Sequence, residues 1–85
     1  MNREQMMDLL KTLGVNVRGT TEQFSNPNLK GGIWIAADGD NESFNYYSEE
    51  WSNTFGVNPK LNRIVDKRGW FFEWWDAGTM LVWPC

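Results

Sequence analysis

The sequence predicts an α+β fold, with two helices packed on one face of an antiparallel sheet of about four strands built as two hairpins. Three patterns predict it. Residues 2–13 and 58–68 carry apolar residues at helical spacing between recognisable caps. Residues 33–47 and 70–83 carry short β-branched and aromatic runs around turns rich in acids and glycine. Aromatic residues, six of them Trp, make up 15% of the 85 residues, and each buried ring removes roughly 150–250 Å² from water. A few large side chains therefore supply a core despite a mean hydropathy of −0.55. A chain of this length makes one domain, residues 1–85.

Asn2 through Leu13 reads as the first helix. Asn2 caps it, Gln5 stands three residues on as in a capping box, and Met6, Leu9, Leu10 and Leu13 fall on one stripe. Gly14 supplies the stop, and Val15 is placed to fold back on the last turn. Val15 and Val17 alternate with polar residues, as a short edge strand would. From Gly19 to Gly32 the chain is polar and turn-rich, a long connection that Phe24 and Leu29 pin to the core. Ile33 to Ala37 is a strand; Asp38 to Glu42 makes a turn; Ser43 to Tyr47 returns as its partner. Ser48 is placed to cap a short helical turn through Glu49, Glu50 and Trp51.

The second helix has Asn58 as cap, Pro59 in the first helical position, and Leu61, Ile64 and Val65 facing inward. Lys67 and Arg68 suit the negative end of its dipole, and Gly69 ends it. Trp70 to Trp75 and Thr79 to Trp83 then form a hairpin around Asp76-Ala77-Gly78. A loop of those three residues pairs Trp75 with Thr79, Trp74 with Met80, Phe72 with Val82 and Phe71 with Trp83. Alternation places Trp70, Phe72, Trp74, Met80 and Val82 on one face, which is wholly apolar and must be core. The other face carries Phe71, Glu73, Trp75, Thr79, Leu81 and Trp83. Two helices cover one side of a sheet, so rings around Glu73 are expected to be partly exposed, and exposed apolar patches mark interfaces. Phe71, Glu73, Trp75 and Trp83 are thus candidate partner-binding residues. Cover from the chain's own 19–32 loop or amino-terminal helix is the plainer reading, ahead of a different protein and of a second copy in a homodimer.

Net charge is −3 and the isoelectric point about 4.7, which argues against a general binder of nucleic acid or membrane surfaces. No Lys or Arg lies between Lys30 and Lys60, whereas Asp38, Asp40, Glu42, Glu49 and Glu50 all do. Asp38, Asp40 and Glu42 form a second candidate surface, an acidic hairpin suited to a basic partner; a solvated hairpin tip is the plainer reading. Asp38, Asp40, Glu42 and Glu49 also fall at the spacing of calcium ligands in an EF-hand loop. Ser43, however, stands where that loop needs glycine, and Phe44, Tyr46 and Tyr47 read as strand. No metal and no cofactor is expected. The amino terminus has an acid at once and no apolar core of a signal peptide, and no apolar run approaches the roughly 20 residues that span a bilayer. Cys85 is the sole cysteine, so no internal disulfide is expected, and the cytoplasm is the expected location.

There is no histidine, which removes His-based triads, His general acid–base chemistry and most zinc sites. No phosphate-cradling glycine motif is present. A carboxylate-based hydrolase with Glu73 among tryptophans is one alternative, weakened by the small size of the chain. A single-stranded nucleic-acid module stacking bases on the aromatic face is another; it needs a basic groove, which Lys60, Arg63, Lys67 and Arg68 could line at one edge.

Phe55-Gly56-Val57-Asn58-Pro59-Lys60-Leu61, followed by Gly69-Trp70-Phe71-Phe72-Glu73-Trp74-Trp75-Asp76-Ala77-Gly78-Thr79, resembles small proteins encoded by marine bacteriophages and found in environmental sequence. The resemblance spans roughly residues 55–83 and brings no activity or site residues with it. It implies expression in a bacterial host, where small acidic phage products act by binding host machinery. The expected function is therefore a non-catalytic binding protein that meets another protein through its aromatic sheet face or acidic hairpin.

Overall fold

A computed structural model describes residues 1–24, 29–39 and 42–85. The predicted fold class is observed: helices lie against one antiparallel sheet of four strands in the order β1-β2-β4-β3. The elements are α1 (Arg3–Thr12), β1 (Val17–Thr20), α2 (Thr21–Phe24), β2 (Ile33–Ala36), α3 (Pro59–Asp66), β3 (Trp70–Asp76) and β4 (Thr79–Pro84). A 3-10 turn, Ser52–Thr54, precedes α3.

Both long helices begin as their caps dictate. The Asn2 side chain accepts from the Gln5 N–H at 2.8 Å, and the Gln5 side chain accepts from the Asn2 N–H at 2.9 Å, so two otherwise orphaned donors are satisfied reciprocally. Val15 folds back as expected, its N–H reaching the Leu10 carbonyl at 2.9 Å. At α3 the Asn58 side chain accepts from the Lys60 N–H at 2.9 Å and Pro59 opens the helix. Met6 and Leu10 of α1 meet Leu61 and Val65 of α3 in one continuous core with Ile33, Ile35, Met80, Val82 and Trp70. Phe72 and Trp74 pack at the margin of that core and stay half-buried, whereas Trp70 is buried and donates its indole N–H to the Met1 carbonyl at 3.1 Å.

The expected partner of β2 is corrected. Ser43–Tyr47 does not pair with β2, whose two edges belong to β1 and β4. Phe44 instead bridges Val57: Asn45 N–H bonds the Gly56 carbonyl at 2.7 Å, and Asn58 N–H bonds the Ser43 carbonyl at 2.8 Å. The reason is packing. Ile35 facing Met80 buries two side chains completely, while Phe44 fills the space beside Phe72 and Trp74 with edge-on ring contacts at 5.4 and 6.1 Å. Because β2 and β3 are each antiparallel to β4, they run parallel to one another, and the connection between them carries α3 across the inner face.

The 19–32 connection also departs from expectation. β1 continues to Thr20, and the next four residues form the helical turn α2. Thr20 and Gln23 cap it reciprocally, Gln23 Oε1 accepting from the Thr20 N–H at 2.8 Å and Thr20 Oγ1 from the Gln23 N–H at 3.3 Å. The β3–β4 hairpin keeps its predicted register from Phe71 to Trp74, but Asp76, rather than Trp75, pairs with Thr79. Trp75 is the extra residue of a bulge, and the loop shortens to Ala77-Gly78.

Gly56 sits at φ +82, and a Cβ there would lie 2.5 Å from the Asn45 carbonyl oxygen, the backbone bridge that seats Phe44. Gly56→Ala is expected to cost about 1–3 kcal/mol, and Phe44→Ala about 3–5 kcal/mol. Both are read as a lowered urea midpoint at unchanged slope; a loss for Gly56→Ala within experimental error would show that the bridge is not needed.

Candidate functional site

Alternation along the strands creates an outer face opposite α1 and α3. Register sets Trp34, Leu81 and Glu73 in one row across β2, β4 and β3, and Phe71 beside Trp83 in the next. Leu81 is only 1% exposed, so the outer face is covered at its centre. The cover is α2. Phe24 sits with its ring 5.2 Å from Trp34 and 5.3 Å from Trp75, edge-on to the latter. The Arg18 guanidinium lies over Trp34 at 5.6 Å, a cation on a ring face. The expectation that helices shelter a single side of the sheet is thus corrected: α1 and α3 take the inner face, and a one-turn helix takes part of the outer one.

The four predicted residues of this face divide. Trp83 is half-buried; its ring lies against Gly32, where a Cβ would come within 2.8 Å of the indole. Trp83 Nε1 donates to Glu73 Oε1 at 3.2 Å, so the carboxylate serves as the polar partner of a ring on the next strand. Phe71 and Trp75 remain 42% and 52% exposed on either side of Glu73 along β3. The result is an apolar surface of two half-exposed rings, one of them edge-on to Phe24, with an exposed carboxylate between them.

The two described residues of the candidate acidic surface, Asp38 and Glu42, stand beside different elements. Asp38 lies at the end of β2 against the Ala77-Gly78 turn, its N–H bonding the Gly78 carbonyl at 3.2 Å, so it shares that end of the sheet with Asp76 and Trp75. Glu42 belongs to the start of α3, where its carbonyl accepts from the Asn58 side chain at 2.9 Å and where it lines a hollow with Lys60 and Leu13. Asp40 lies outside the described residues. Among the described residues no group of three or more His, Cys, Asp or Glu could hold a metal ion.

A second set of exposed rings escaped the sequence reading. Tyr47 and Phe55 are each 81% exposed and Tyr46 50%. With Trp74, Tyr46 and Phe55 border an open hollow of about 340 Å³ that also includes Ser48, Ser52 and Gly56. Phe55 holds a left-handed backbone conformation at φ +53, and its carbonyl accepts the Trp74 indole N–H. A signal was present: two adjacent tyrosines cannot point to the same side of a strand, so one of Tyr46 and Tyr47 had to face away from any core. The α2 cap was also written in the sequence, as Thr20-x-x-Gln23.

α2 is itself held by an ion pair. Arg3 Nη1 donates to Glu22 Oε1 at 2.8 Å, to Oε2 at 3.0 Å and to the Gly32 carbonyl at 3.3 Å, tying α1, α2 and the start of β2 together. The Glu22 carboxyl is held below its ordinary value of 4.5, chiefly by a bond from its own backbone N–H; desolvation opposes this, and bonds from Arg3, Gly31 and Thr21 add to it.

Comparison with known protein families, with curated proteins and with solved structures finds no match to this chain. Among the described residues no helix is long and apolar enough to cross a membrane.

Two outcomes follow from the division of the outer face. Leu81→Ala is expected to cost about 2–5 kcal/mol and Trp75→Ala only about 0.5–1.5 kcal/mol, the worth of its ring contact; equal losses in urea would show Trp75 to be core. For Glu22, a depressed folded-state pKa means that its contribution to stability is full above about 4.5 and is lost as pH falls through the lower folded value. Thermal midpoints measured from pH 6 to about pH 3 should fall less steeply for Glu22→Gln than for the wild type; parallel curves would show that the ion pair does not hold α2.

Proposed function

We propose that this chain is a non-catalytic binding protein whose outer sheet face meets another protein. The observation that carries the reading is the exposure of Phe71 and Trp75 on a rigid strand, flanking a solvent-facing carboxylate. Large rings fixed by a sheet lose little side-chain freedom on binding, and Trp is over-represented among residues that dominate interface energies. Glu73 adds a charge that would select among partners rather than tighten all of them. The likeness of residues 55–83 to marine phage products would place the chain in a bacterial cytoplasm and its partner among host proteins.

Stacking of single-stranded nucleic acid on this face is less well supported. Lys60, Arg63, Lys67 and Arg68 belong to α3 and its end, and α3 packs on the inner face. Arg18, a cation of the outer face, is already engaged with Trp34. Hydrolysis by Glu73 is supported no better, since its carboxylate stands on an open surface and accepts a structural bond from Trp83.

The test is a comparison of wild type with the double variant Phe71→Ala/Trp75→Ala. Both should give the same circular dichroism spectrum and sediment as monomers, while a protein captured by the wild type from bacterial lysate is lost from the variant. Equal capture by both would remove the outer face from the function. A salt-dependent shift of single-stranded DNA, abolished in the variant, would replace the reading with a nucleic-acid one.

A further inference from the structure

The two edges of the sheet are built differently. β1, at one edge, has four residues, with a register break between Val17 and Gly19, and its Thr20 N–H is taken by the Gln23 side chain. Short length, a bulge and a side-chain cap are devices that keep an edge from pairing. β3, at the other edge, is the longest strand of the sheet, with seven residues. It carries no Pro and no Lys, and its bulge lies near its far end, at Trp75. Among the described residues no backbone or side-chain group bonds the outward backbone of Phe71 to Trp75, although the segment around Phe44 and Phe55 lies against the inner side of the same strand. Among the described residues the backbone donors and acceptors along that edge therefore have no partner, next to Phe71 and Trp75.

We propose that β3 receives an extended peptide segment of another protein as a fifth strand, with a Lys or Arg of that segment set against Glu73. The proposal rests on the reading of the outer face as a protein-binding surface and states how the partner engages it. A strand added at this edge would satisfy the free backbone groups, and its alternate side chains would continue the outer face. Phe71, Glu73 and Trp75 share that face, so the complementary segment reads apolar–polar–cationic–polar–apolar, with the cation at its centre. Charge argues against a second copy as the occupant. Glu73 is the middle residue of β3, so antiparallel pairing of two copies about their centres opposes two carboxylates, and each chain already carries −3.

The experiment uses the full chain and a synthetic peptide, acetyl-Val-Thr-Lys-Thr-Val-amide extended by one Thr at each end, followed by amide hydrogen exchange and by tryptophan fluorescence. Binding is expected to slow exchange at alternate β3 amides, to weaken about fivefold or more when the central Lys is replaced by Glu, and to weaken with added salt. Glu73→Lys, a substitution at an exposed side chain, should reverse the preference between the two peptides. Peptides N-methylated at alternate residues in the two phases separate the proposal from the reading beneath it. Loss of binding in one phase only supports strand addition. Binding by both phases, with Phe71→Ala/Trp75→Ala still abolishing it, overturns strand addition and leaves the outer face in place. No binding of any peptide at millimolar concentration overturns the proposal. Protection of β3 without peptide, rising with protein concentration together with sedimentation as a dimer, overturns it in favour of a second copy.

Discussion

β4 is buried on both of its faces, and that constraint organises the rest of the molecule. Met80, Leu81 and Val82 are consecutive, and all three are shielded from water. In a strand, consecutive side chains point in opposite directions, so such a run needs cover above and below the sheet. α1 and α3 supply the inner cover. On the outer side one turn of helix contributes the ring of Phe24, held by Thr20 with Gln23 and by Arg3 with Glu22. That cover is partial: Phe24 meets Trp75 edge-on and still leaves it 52% exposed, and Phe71 stays 42% exposed.

Much of the fold was legible because its signals are local. Asn2 with Gln5, Asn58 with Pro59, and the alternation of Trp70 to Val82 each specify conformation within a few residues, and each is observed. What failed was pairing. Ser43–Tyr47 is not a strand: Phe44 alone makes a bridge, to Val57, and the chain then turns, the Ser48 N–H bonding the Asn45 carbonyl at 3.0 Å across Tyr46 and Tyr47. Alternation over so short a run names neither a partner nor a strand, and β2 pairs with β4, burying Ile35 against Met80. The bulge at Trp75 was hidden for a related reason: shifting the loop by one residue changes the partner of Thr79 without altering any other pair.

The candidate site was legible to the same degree. Alternation identified Phe71, Glu73, Trp75 and Trp83 as one face, and they do share it. Which of them stay exposed depended on α2 and on Gly32, whose missing side chain makes room for Trp83. The acidic residues illustrate the opposite case. Asp38 and Glu42 are near in sequence, yet Asp38 stands beside the Ala77-Gly78 turn and Glu42 beside the start of α3, because Ser43–Tyr47 does not return along β2.

Glu73 sets a charge in the middle of an exposed aromatic strand. A long, flat, apolar edge is a template for uncontrolled pairing, and a charge at its centre is a recognised protection. The same carboxylate satisfies the indole N–H of Trp83, so removing it would expose a polar group as well as an apolar edge. A centrally placed acid repels copies of this strand while leaving a cationic strand free to pair. On the proposed reading one side chain both discourages self-association and selects the partner, because opposition of like charges and attraction of unlike ones act at the same position.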